Sequence, residues 1–372
     1  MRRYQPFDPP EYFTWKSDSD LSREFGELPL RDPQRAKIIE SLKDEQLFAM
    51  YAGLLRSRLV DFALKRWVRQ GVISKAWLAT GEEAVTIGNV HALERGRDVV
   101  APMIRNAGAC HEMGMPIERV LHGYLGSRDS PNRGKDGHIG DHSLGIIAPI
   151  SHVAEMVPVI TGIALAFQKR KEPRVALTWI GDGSTKTIAA HEGFNLAAVL
   201  KVPAIFVIQN NQVALGTRVD QHQIGDFTAW GKMYGMPLLA ADGNNVLDMY
   251  AATRIAADRA RAGGGPSMIL ATTFRMGGHA THDEAEARHT FSPELFAHWG
   301  KRDPIGMFEE WLIARGFERD RLTEIENSVI AAVDAAADKV AAERANVMPD
   351  PAEAELEGVS AGVRQPGLAT RL

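Results

Sequence analysis

Two apolar runs, Arg-Val-Ala-Leu-Thr-Trp-Ile at residues 174–180 and Ala-Ile-Phe-Val-Ile-Gln at 204–209, constrain the fold more than any other feature of the chain. Each is short and apolar along most of its length, so each reads as a strand buried on both faces. The stretch between them, residues 186–200, has helical patterning. A strand, a helix and a second strand in that order make a parallel pair joined by a crossover. Residues 246–262 (helix) and 267–274 (strand) repeat the alternation. The fold class that follows is α/β, a parallel sheet with helices on both faces.

Elsewhere the pattern is mostly helical. Leu47, Met50, Tyr51, Leu54, Leu55, Leu59 and Phe62 recur at spacings of three and four, which predicts a helix over 44–70 that Gly71 stops. Residues 157–171 read as a buried helix with Pro158 in its first turn. Residues 123–147 form a long glycine-containing loop of functional character, and 292–342 are helical and rich in alanine. Residues 1–34 combine Pro, acidic and aromatic residues without a period, predicting an extended arm. A single domain over 35–345 and a tail over 346–372 complete the organisation.

At 372 residues and 45% hydrophobic content, the chain can bury a large core without disulfides or a structural metal. A formal charge of −4 with 24% charged residues gives no strong field, which argues against nucleic acid or an anionic membrane as partner. Cys110 is the single cysteine and fits a reducing compartment. No stretch reaches the ~18 apolar residues of a membrane span, and no apolar segment follows Met1-Arg2-Arg3. The expected location is cytoplasmic.

Ligands of open α/β sheets bind at the carboxyl ends of the strands. Asp182 follows the first run and Asn211 the second, so a carboxylate and a carboxamide share that edge. Gly181 and Gly183 allow tight curvature and close approach around Asp182, and a helix starting near Ser184 offers N–H groups to a diphosphate. Magnesium takes oxygen ligands octahedrally and shares them with phosphates, which suits Asp182, Asn211 and a backbone carbonyl such as that of Val213. Neither G-x-G-x-x-G nor G-x-x-x-x-G-K-[ST] occurs, which weighs against an unrelated nucleotide-binding enzyme.

Gly181-Asp182-Gly183 followed by Asn210-Asn211 is similar to the thiamine diphosphate signature. Glu192-Gly193-Phe194-Asn195, Pro203, Gly277-Gly278-His279 and Asp303-Pro304 extend the match. Over roughly residues 40–345 the chain resembles the alpha subunit of the decarboxylating first component of 2-oxo acid dehydrogenase complexes. The resemblance implies a thiamine diphosphate-binding fold, with Asp182, Asn211 and the Val213 carbonyl on magnesium. It places Gly181, Gly183, Ser184, Arg105 and Arg275 at the diphosphate. Guanidinium groups also suit that role on chemical grounds, being fixed, bidentate cations. Ser151 and Val153 match positions that meet the aminopyrimidine ring. His279, an ionisable imidazole on a glycine-containing loop, matches a histidine that orients intermediates and assists acyl transfer.

The resemblance further implies oxidative decarboxylation of a 2-oxo acid, transfer of the acyl group to the lipoyl domain of a dihydrolipoyl acyltransferase core, and an α2β2 heterotetramer. The glutamate that activates the cofactor belongs to the beta chain in this family, so the chain alone is expected to be inactive. Gly81-Glu82-Glu83-Ala84 and residues 134–142 lean toward branched-chain 2-oxo acids, with pyruvate or acetoin as the alternative. A cofactor-binding subunit that has lost catalysis is a further reading, motivated by Ile104 in place of a tyrosine and by the unusual Ser184-Thr185-Lys186-Thr187. Lys186 either adds charge near the phosphates or faces solvent, and His152 and Glu155 either face substrate or are structural. The imidazoles of His138 and His142 are not expected to hold a metal. Ala280 and His282 replace serines that are phosphorylated in animal relatives, so that switch is not expected here.

Overall fold

The computed structural model describes residues 9–350; residues 1–8 of the expected arm and 351–372 of the expected tail lie outside the described residues. Its strands are β1 (Val99–Ala101), β2 (Ala176–Gly181), β3 (Ala204–Asn210), β4 (Val213–Ala214), β5 (Thr217–Arg218), β6 (Leu238–Asp242) and β7 (Ser267–Thr272). Five of them build one parallel sheet in the order β1-β2-β3-β7-β6, and β4 and β5 make a small antiparallel ribbon. The α/β class read from the two apolar runs is the class of this fold.

Those runs became β2 and β3 because both of their faces are covered. Along β3, Ile205 and Val207 point into one layer with Trp179, Val85 and Met249, while Phe206 and Ile208 point into the other with Phe194 and Val157. The alternation is that of any strand, and here neither side meets water. Full burial of each such side chain contributes about 1.5–3 kcal/mol. Helices Glu83–His91 and Val246–Arg261 supply the first layer, and Met156–Arg170 and Ile188–Leu200 the second. The buried Asn89 is satisfied on both sides, accepting from Trp179 Nε1 at 2.7 Å and donating to Thr253 Oγ1 at 2.6 Å.

The long predicted helices are present with small shifts. Asp44–Arg69 ends before Gly71, whose φ of 70° no longer fits a right-handed helix, and Met156–Arg170 ends at Lys171 with φ 57°. The alanine-rich stretch is three helices, Pro293–Gly300, Pro304–Ala314 and Arg319–Glu343. Ser292 and Asp303 cap the first two, and the prolines sit where no N–H is needed.

Two expectations are corrected. The described part of the expected extended arm is helical and packed: Ser19–Glu27 and Pro33–Glu40 start at Asp18 and Asp32, whose side chains accept backbone N–H bonds. Tyr12 and Phe25 are buried, and Glu11 grips Arg288 with both oxygens at 2.7 and 3.0 Å. The Asp and Pro residues that look like loop composition are helix-start signals. The helix expected to begin near Ser184 starts later. A 3-10 turn, Gly183–Lys186, comes first, and the α-helix Ile188–Leu200 is capped by Thr187 Oγ1 on Ala190 N.

Candidate active site

β2 and β3 are paired in register up to Gly181 opposite Gln209, so Asp182 and Asn211 emerge side by side from the carboxyl edge. β7 runs beside β3 to Thr272 and delivers Arg275 to the same edge, where its backbone N donates to Asn211 O at 3.3 Å. The ribbon β4–β5 folds back over the Gly181-Asp182-Gly183 turn. A Cβ on Gly183 would collide with Ala214 Cβ, whereas one on Gly181 would meet nothing nearer than Ser184 Oγ at 3.8 Å. Neither glycine has a positive φ, so close approach rather than left-handed curvature requires glycine at 183.

The centre of the cluster is a residue that sequence reading had assigned to substrate choice. Glu82, fully buried, accepts from Asn211 Nδ2 at 2.7 Å, from Gln209 Nε2, and from Arg105 Nη1 at 3.2 Å. Two other segments of the chain, the end of β3 and the turn that carries Arg105, thereby converge on one carboxylate. Because a carboxylate only accepts, Asn211 must turn its NH2 toward Glu82, which presents its Oδ1 to the opposite side. No spacing rule could have revealed this, since Glu82 meets partners far away in sequence.

Arg105 Nη2 lies 3.0 Å from His279 Nδ1 and donates to the His279 carbonyl at 3.3 Å. Guanidinium has no acceptor, so Nδ1 is the accepting nitrogen and the ring proton sits on Nε2. Burial, then the positive charges of Arg105 and Arg275, pushes the His279 imidazole down to about 4. It is neutral at pH 7. Asp283 fixes the segment by accepting from the backbone N of His279 at 3.1 Å and of Ala280 at 2.8 Å.

Arg275 is buried and anchored to the Gly277 and Leu215 carbonyls at 3.1 and 2.8 Å. Burial and the nearby Arg105 charge bring it down to about 10, still cationic at neutral pH. Asp182, 1% exposed, is pushed up to about 6 by burial, reinforced by the charge of Glu82 and opposed by Arg275 and Arg105. Its Oδ1 accepts from Gly183 N at 2.8 Å, but its Oδ2 is buried with no hydrogen-bond partner. Two mutually repelling guanidinium groups beside an orphaned carboxylate oxygen suit a ligand that brings both an anion and a cation. Among the described residues no three His, Cys, Asp or Glu side chains gather as a metal site of their own, so a metal here would need amide, carbonyl or ligand oxygens as well.

The other sequence candidates divide. Gly183 and Ser184 lie in the 3-10 turn after Asp182, and Val213 is buried with its N donating to Asn211 Oδ1 at 3.4 Å. Ser151 and Val153 are exposed ahead of helix Met156–Arg170, and Ser151 Oγ meets His138 Nε2 at 3.3 Å instead of the cluster. His138 Nδ1 is in turn held by Asp136 at 2.8 Å. Lys186 bonds Gln223 Oε1 and lies over the rings of Phe227 and Trp230 at 5.1 and 5.4 Å, which draws its ammonium toward that aromatic surface. Asp303 belongs to the core: with Glu83 it pairs with the fully buried Arg58. His222, which sequence reading did not single out, lies 3.9 Å from Asp182 Oδ2 through its Nε2.

Comparison with known proteins gives a consistent outcome. Residues 53–348 match the family model described as dehydrogenase E1 component. The chain is 33% identical over 315 residues to the pyruvate dehydrogenase E1 component subunit alpha of Acholeplasma laidlawii, covering 84% of this chain and 88% of that one. It is 31% identical over 306 residues to the 2-oxoisovalerate dehydrogenase subunit alpha of Bacillus subtilis (strain 168), covering 80% and 91% respectively. The mitochondrial 2-oxoisovalerate dehydrogenase subunit alpha of Mus musculus is 31% identical over 280 residues, covering 74% of this chain and 63% of the mouse protein.

Proposed function

The chain belongs to the dehydrogenase E1 component family, and on that premise we propose that it is the alpha subunit of a 2-oxo acid dehydrogenase that works with a beta subunit. Thiamine diphosphate, the cofactor of this family, supplies the chemistry that decarboxylates a 2-oxo acid when bound. The observation that carries the reading is the convergence of Asp182, Asn211, Arg105, Arg275 and His279 at one sheet edge, with Asp182 Oδ2 buried and unpartnered.

In this reading Asp182, Asn211 Oδ1 and the Val213 carbonyl hold magnesium, and Arg105 and Arg275 neutralise the diphosphate together with the backbone of Gly183 and Ser184. Gly181 and Gly183 let the turn lie close to both. His279, neutral with its proton on Nε2, offers a hydrogen-bond donor to the reacting group without adding a third positive charge. Ser151 and Val153 are proposed to meet the aminopyrimidine ring through the segment that leads into helix Met156–Arg170.

Ile188, Leu215 and Ile224 are 83%, 60% and 100% exposed, and all lie in segments around the Asp182 turn. Apolar side chains in that position support a protein partner at the rim. We assign that place to the beta subunit in an α2β2 heterotetramer, which then delivers the acyl group to the lipoyl domain of a dihydrolipoyl acyltransferase core. Branched-chain 2-oxo acids are the favoured substrates, and the relatives named for pyruvate make that the second candidate. No helix of the described residues is long and apolar enough to cross a membrane.

Co-purification with a beta subunit, followed by dye reduction with 2-oxoisovalerate, pyruvate and acetoin in parallel, tests the reading. Activity is expected from the pair and not from this chain alone. Full activity of the isolated chain, or none from a well-formed pair on any 2-oxo acid, overturns it.

A further inference from the structure

His222 ends the four-residue helix Val219–His222 that follows the β4–β5 ribbon, and its side chain is 12% exposed. Both of its ring nitrogens are buried without a hydrogen-bond partner, as is Asp182 Oδ2. Nε2 and Oδ2 face each other at 3.9 Å, beyond hydrogen-bond reach. Leaving such groups unpaired in the interior is costly, so the arrangement calls for something between them. Lys186, a nearby cation, is occupied by Gln223 and by the rings of Phe227 and Trp230.

A divalent cation satisfies both sides, because a carboxylate and a neutral imidazole each donate a lone pair. With metal–ligand bonds of about 2.1 Å, two donors on one octahedral ion sit roughly 3 Å apart when adjacent and 4 Å apart when opposite. The 3.9 Å separation is close to that of the opposite arrangement. Asn211 Oδ1, turned away from Glu82, adds an oxygen at the same edge. A nitrogen donor also changes which ion is preferred: magnesium holds to oxygen ligands, whereas Mn2+ takes the same oxygen ligands and accepts an imidazole nitrogen more readily.

We propose that His222 supplies a nitrogen ligand to the metal held by Asp182 and Asn211, and that the site therefore holds Mn2+ more tightly than Mg2+. The proposal rests on reading Asp182 and Asn211 as the metal site. It adds a fourth protein group, and the first nitrogen, to that set.

The test uses the full chain stripped of metal and loaded with Mn2+, with and without thiamine diphosphate. Pulsed electron paramagnetic resonance is expected to show nitrogen modulation of the imidazole type on bound Mn2+ in the wild type and none in His222→Gln. Calorimetry is expected to show Mn2+ affinity falling about tenfold in His222→Gln, equivalent to roughly 1.4 kcal/mol, with Mg2+ affinity nearly unchanged. Mn2+ that binds the wild type without nitrogen modulation, while binding is lost in Asp182→Ala, overturns the His222 assignment alone. Unchanged Mn2+ binding in Asp182→Ala overturns the metal site itself and the assignment with it.

Discussion

Glu82, with no exposed surface, accepts a hydrogen bond from the Asn211 carboxamide at 2.7 Å across 129 residues of sequence. The bond decides which way the amide points, and the same carboxylate also holds Gln209 and Arg105. One buried acid thus sets the orientation of a candidate metal ligand and of a candidate diphosphate ligand together. Its replacement separates those roles. Glu82→Ala leaves the Arg105 charge and two amide donors unpaired, and unfolding is expected to become easier by about 3–5 kcal/mol. Glu82→Gln keeps an acceptor for Asn211 but turns an NH2 toward Arg105, so it should retain more stability than Glu82→Ala. Thermal unfolding of the three proteins checks the order, and equal losses from the two variants would show that the carboxylate does not organise the site.

Gly183 and Gly181 have the same side chain and different surroundings. Gly183→Ala brings a Cβ against Ala214 and must push the β4–β5 ribbon, with Val213, away from Asp182. The expected cost is about 1–3 kcal/mol of stability, together with loss of metal-dependent cofactor binding. Gly181→Ala has room and should leave the fold unchanged. Parallel calorimetry of the two variants is decisive, because equal cofactor affinities would contradict the close contact.

His279 provides the pH dependence. Its folded-state value of about 4 lies below the ordinary 6.5, so the neutral ring contributes stability that is present above pH 6.5 and is lost as pH falls toward 4. The metal-free wild type should therefore lose more stability over that window than His279→Gln. Nitrogen NMR is expected to show the Nε2–H tautomer and a midpoint near 4. A midpoint near 6.5 would remove both the burial and the Arg105 contact from the account.

Asp303 is predicted to matter for folding and not for the cofactor. It pairs with Arg58 at 2.9 Å and caps helix Pro304–Ala314 through Gly306 N at 3.1 Å. Asp303→Ala leaves part of a buried ion pair uncompensated, an expected loss of about 3–5 kcal/mol. Cofactor affinity of the folded fraction should stay within about twofold, a difference of roughly 0.4 kcal/mol. A much larger affinity loss measured by calorimetry would put Asp303 in the site.

Much of the fold was legible because apolar periodicity is a local property. The runs that became β2 and β3, and helices Asp44–Arg69, Met156–Arg170 and Val246–Arg261, carry their burial in their own spacing. β1, with three residues, and the two-residue strands of the ribbon are too short for any period to register. The helices Ser19–Glu27 and Pro33–Glu40 are hidden for a related reason: Asp18 and Asp32 have loop composition until the helices they cap are seen.

Chain order and strand direction alone put Asp182 and Asn211 at the same sheet edge, because each directly follows one of two parallel strands joined by a helix; that the strands are neighbours is a property of the folded sheet. Only the tertiary structure decided how those groups are oriented and what stands beside them. Glu82 below Asn211, Arg105 against His279, and His222 across from Asp182 are contacts between distant segments. Such contacts arise when packed layers bring separate loops to one sheet edge, and side-chain geometry at that edge leaves no trace in local spacing.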